Sequence, residues 1–117
     1  MFTQEDLCAI AKNDPEMIRA YYEAVHAIID FRQELAKNQS GLWAGARLKK
    51  KQVDATFLAK RFSRGVVFNG QPISEDDRKR VELWLIDAAN FHMMPKEEQR
   101  NVLMRDLDDA RQAELPG

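Results

Sequence analysis

A single cysteine, Cys8, stands in 117 residues, so the chain can close no internal disulfide and holds no cysteine pair for a zinc site. This cysteine usage fits a reducing compartment, with Cys8 expected to fill the core rather than to act as a nucleophile. No apolar run approaches the ~20 residues that a bilayer-spanning helix needs, and no membrane association is expected. The amino terminus, Met-Phe-Thr-Gln-Glu-Asp, lacks the basic region and apolar stretch of a signal peptide, so a cytoplasmic location is expected. A glycine-rich phosphate loop, a Gly-x-Ser-x-Gly elbow, internal repeats and low-complexity linkers are also missing. The length supports one self-sufficient domain spanning residues 1–117.

What is present is helical periodicity, and the strongest instance runs from Pro15 to Asn38. Its apolar residues, from Met17 to Ala36, fall in one arc of roughly 220° interrupted only by Arg32. A bundle surface helix needs a stripe only a little over ~100° wide, so this one predicts a central helix with neighbours on at least two sides. Before it, Thr3 is a candidate N-cap for a short helix to about Lys12, whose inner edge is Leu7, Cys8, Ile10 and Ala11. Asp14-Pro15-Glu16 then supplies a capping carboxylate, a proline at the first helical position and an acid suited to the dipole.

After the turn-forming Asn38-Gln39-Ser40-Gly41, a helix is expected over 42–51, carrying Trp43, Ala44, Ala46 and Leu48. Val53-Asp54 reopens the chain for a second short helix over 54–64. There Ala55, Leu58, Ala59 and Phe62 point one way while Phe57, Lys60, Arg61 and Arg64 point the other. Asn69-Gly70 between short apolar runs predicts a tiny hairpin or an ordered loop near 66–73, restricted to an edge by Pro72. Ser74 caps a long helix to about His92, and Pro95 opens a final helix with a narrow stripe of Leu103, Leu107 and Ala110. The fold class is therefore all-α: a compact bundle of five to six helices around the central helix, with at most one hairpin.

Enzymatic chemistry finds little support. Glu23-x-x-His26 has the spacing of a di-iron ligand pair, but the second pair and the further inward glutamates are missing, so no metal or other cofactor is expected. Glu97-Glu98 and Asp108-Asp109 are adjacent on helices, which turns the members of each pair ~100° apart and prevents them from sharing a proton. No catalytic residue is assigned.

Charge is distributed unevenly. The net charge is −1, yet residues 43–80 carry ten Lys or Arg against four Asp or Glu, while both flanking segments are acidic. Arg47, Lys49, Lys50, Lys51, Phe57, Lys60, Arg61 and Arg64 form a candidate nucleic-acid-binding segment, in which residues 42–73 would make a helix-turn-helix with a minimal wing. The partner would be DNA or RNA, and the role that of an accessory or regulatory protein. The alternative is a protein-interaction module, acting as an adaptor, inhibitor or homodimer. Its interface would be the apolar back of the 75–93 helix, at Leu83, Ile86 and Met93. One continuous positive face favours the first reading. A basic segment neutralised by acidic neighbours favours the second.

Overall fold

The computed structural model describes residues 1–37, 41 and 43–114. Among these, five helices and one hairpin follow in order: α1 (Gln4–Ala11), α2 (Pro15–Ala36), α3 (Ala44–Arg64), β1 (Val67–Phe68), β2 (Gln71–Pro72), α4 (Glu75–Met93) and α5 (Lys96–Glu114). The fold is the all-α bundle that the periodicity implies.

The helix starts are set by the expected chemistry. Thr3 and Asp6 form a reciprocal capping box, each side chain accepting the other residue's backbone N–H at 3.0–3.1 Å. The Asp14 carboxylate accepts from the Met17 N–H at 3.1 Å with Pro15 at the first helical position, and the Ser74 hydroxyl accepts from the Asp77 N–H at 3.2 Å. Asn69 and Gly70 adopt φ of 54° and 79°, the left-handed pair that a two-residue hairpin loop demands, and Val67 pairs with Pro72 across it. The predicted break at Asn38 lies outside the described residues.

Helix α2 is central. It packs against α3 and α4, which also pack on each other, and α1 lies against it more lightly. Ala24, Val25 and Ile28 of α2, Ala55 and Phe62 of α3, and Val81, Leu85 and Ala89 of α4 make the buried core. Val66 and Ile73 extend it beneath the hairpin. Phe2 completes it from the N-terminus, meeting Phe68 edge-on at 5.3 Å between centroids and lying 6.0 Å from Trp84.

Four expectations are corrected. The helices expected over 42–51 and 54–64 are one continuous helix, Ala44–Arg64, so the described residues of 42–73 form no helix-turn-helix. No glycine or proline interrupts the chain from Ala46 to Arg64, and Leu48, Ala55, Ala59 and Phe62 keep one helical phase through the supposed break. The buried stripe therefore outweighs the capping tendency of Asp54. Cys8 is exposed rather than core filler. Part of the wide α2 stripe, at Ile18, Tyr22 and Leu35, also stays exposed, because two packed helices do not enclose it. Ile86 is half-buried against the core on the shoulder of α4, not on its free back.

Helix α5 stands apart from the body. Gln99 and Val102 are its half-buried residues, and the Gln99 amide donates to the Met94 carbonyl at 2.9 Å. The molecule measures 61 × 39 × 25 Å, with a radius of gyration of 17.0 Å. A compact domain of this length would give about 13 Å.

Candidate nucleic-acid interface

The continuity of α3 decides how its charges are arranged. Ala55 and Phe62 fix its inward side, and stepping ~100° per residue from there places Lys49, Lys50, Lys60, Arg61 and Arg64 within one outward arc of about 120°. Two separate short helices would have left the two groups of cations with independent directions. In a single rod they share one face. From Lys49 to Arg64 that face runs ~22 Å, at ~1.5 Å per residue.

Apolar side chains also stand within the same arc. Phe57 is 60 % exposed and Val53 is likewise open. Asp54, the one carboxylate of α3, borders the arc without entering it. Among the described residues, Lys49, Lys50, Lys60, Arg61 and Arg64 form no ion pair; Glu34 pairs with Lys37 at the C-terminal end of α2, and Asp77 with Arg80 within α4.

The other expected cations face elsewhere. Arg47 and Lys51 turn toward α2 and line an open groove of about 750 Å³ whose opposite wall carries Glu23, His26 and Asp30. The basic segment is thus divided. Its groove side faces the acids of α2. On its outward side Arg61 borders a second groove with Asp14, Glu16 and Glu23, and Lys60 a cleft with Glu82, without an ion pair among the described residues. Lys50 and Phe57 stand at the rim and belong to both surfaces.

This distribution works against the helix that carries it. Arg47 with Lys50, Arg47 with Lys51, Lys60 with Arg64 and Arg61 with Arg64 are like-charge neighbours three or four apart. Each such pair costs roughly 0.2–0.5 kcal/mol. The sequence places Arg47 to Lys51 at a helix C-terminus, where cations suit the dipole. They lie instead in the first two turns, behind an N-cap, Trp43, that makes no side-chain capping bond and with no acid following it.

Trp43 itself was not singled out by the sequence as a surface feature. It is 72 % exposed, at the N-terminal end of the same outward arc. Its signal, a seven-residue spacing to Lys50, Phe57 and Arg64, has meaning only once 44–64 is one helix.

The candidate protein interface is less coherent. Leu83 is 58 % exposed and Met93 is partly exposed, but Ile86 packs beside Ile28, Phe31, Ala55 and Ala59 in a cleft between α2, α3 and α4. Among the described residues, no three His, Cys, Asp or Glu converge to hold a metal ion. In the same residues, no helix is long and apolar enough to cross a membrane. Burial, followed by the charges of Tyr22 and Cys8, raises the Tyr21 phenol above its ordinary range. It serves the α2–α3 contact. No protein-family model, curated protein or solved structure matches the chain.

Proposed function

We propose that this chain binds nucleic acid along the outward face of α3, as an accessory or regulatory protein. The observation that carries the reading is the stripe of Lys49, Lys50, Lys60, Arg61 and Arg64 on one face of α3, none of them in an ion pair among the described residues. Along the helix these cations repel one another, and of the five only Arg61 and Arg64, in the last turn, suit its dipole. A phosphate backbone supplies the compensating charge, releasing condensed counterions as each contact forms. Arg47 and Lys51, facing the acidic wall of the groove, play a smaller part. The test is a fluorescence-anisotropy titration of labelled mixed-sequence DNA and RNA at low salt. Wild-type protein should bind, and the Lys60→Glu/Arg61→Glu variant should bind at least tenfold more weakly with unchanged helicity. No binding to either polymer would remove the proposal.

A second reading rests on a different observation. Leu103, Met104 and Leu107 are exposed on α5, which leaves the body with little of its surface covered, and Leu83 and Met93 are open on α4. A helix of this length is marginal in water unless an apolar face is packed. These side chains favour association with another protein or a second copy of the chain. Sedimentation over a range of concentrations tests self-association, and it is compatible with nucleic-acid binding through α3.

A further inference from the structure

We infer that the polymer taken by α3 is a single strand, held by base stacking on Trp43 and Phe57 with its phosphates on the intervening and flanking cations. The inference rests on the proposed nucleic-acid reading and narrows it. Trp43, Lys50, Phe57 and Arg64 recur every seven residues, so that aromatic and cationic side chains alternate along one ridge. Successive members drift by ~20° per seven residues, which keeps all four within about 60°. The two rings stand ~21 Å apart along the axis, with Lys50 midway between them.

Exposure together with the lack of a ring partner distinguishes these rings from the remaining aromatic residues of α3 and its neighbours, among which Tyr22 is exposed but meets Tyr21 edge-on. Phe62 is buried, and Tyr21 and Trp84 are half-buried against other rings. Trp43 and Phe57 are 72 % and 60 % exposed. Neither has a ring partner among the described residues. Charge complementarity selects a polyanion as the occupant, and the free rings select its form. In a duplex the base faces are stacked on one another every ~3.4 Å and offer nothing to an aromatic face. In a single strand each base has a π-face to place on a ring, whatever its identity, while cations follow the backbone.

The experiment compares an oligo-dT and an oligo-U with a mixed-sequence duplex of equal length, each titrated against wild type, Trp43→Ala, Phe57→Ala and Phe57→Leu. Both sites are exposed, so the variants should fold, as circular dichroism would verify. Phe57→Leu keeps an apolar side chain at the groove rim while removing the ring. Each aromatic removed should weaken single-strand binding by about 5- to 140-fold, the range corresponding to one base stacked on an aromatic ring. Duplex affinity should change less than about twofold, since its base faces are already stacked. Salt-dependent binding to single strands that all three variants retain would overturn stacking and leave the basic stripe standing. Equal losses on duplex and single strand would also overturn it. Absence of binding to every probe would instead remove the underlying reading. Tighter binding of oligo-dT or of oligo-U would identify DNA or RNA as the preferred strand, either of which supports the inference.

Discussion

The ring of Tyr21 in α2 meets the ring of Phe62 in α3 edge-on, with centroids 5.8 Å apart and an interplanar angle of 64°. This contact fixes the rotation of α3 on the body. With Phe62 turned inward, Phe57 stands ~140° away around the helix and faces outward with Lys60, Arg61 and Arg64. The core thereby determines which side of the basic helix is presented.

Phe62→Ala should therefore cost about 3–5 kcal/mol, the range for emptying a buried aromatic site. Phe57→Ala, at an exposed site, should cost under ~1 kcal/mol. Urea unfolding of both variants measures the difference. Equal losses would place the helix in the wrong phase.

Continuity of α3 has its own test. Val53→Pro removes the donor to the Lys49 carbonyl inside a 21-residue helix. It should cost about 3 kcal/mol or more. A proline tolerated there, by thermal or urea unfolding, would mean that the chain turns between 51 and 54 after all.

Leu83 and Ile86 should respond differently to the same change. Ile86→Glu places a carboxylate beside Ile28, Phe31 and Ala55, and is expected to lower stability by roughly 1–3 kcal/mol. Leu83→Glu, on the open back of α4, should leave stability nearly unchanged and weaken any association made there. Unfolding curves and sedimentation of the two variants separate core from interface.

Tyr21 predicts an alkaline dependence. Burial chiefly, with the anions of Tyr22 and Cys8 adding to it, raises its phenol above the ordinary value of 10.0. The unfolded chain then releases this proton at a lower pH than the folded one. The contribution is fully present below that ordinary value and is lost as pH climbs from there through the folded value. Tyr21→Phe should flatten the decline, read as the difference between urea midpoints of the two proteins across that window. An unchanged decline would assign it to other groups.

Much of the architecture is legible in the sequence, and the exceptions have physical causes. Thr3, Asp14, Ser74 and Asn69-Gly70 announce their caps and turn because each supplies a local hydrogen bond or dihedral that needs no tertiary partner. Val53-Asp54 misleads because a capping residue is a permissive cue, whereas the inward phase shared by Leu48, Ala55 and Phe62 depends on α2 and α4 being there to receive it. Cys8 is misjudged, and the buried Phe2 passed over, for the same reason: what covers Phe2, and fails to cover Cys8, lies far away in the chain. The candidate cations are visible as a segment. Their division into a groove side and an outward side requires the neighbours of α3, and so does the surface role of Trp43.

The most direct measurement is the salt dependence of single-strand affinity for wild type and for Lys60→Glu/Arg61→Glu. Five cations, each neutralising one phosphate of a single strand, give a slope of log affinity on log salt of about −3.5, at ~−0.7 per contact. Removing two of them should flatten the slope by about 1.4 with helicity intact. A slope that stays the same after both charges are reversed would contradict binding along the outward face of α3.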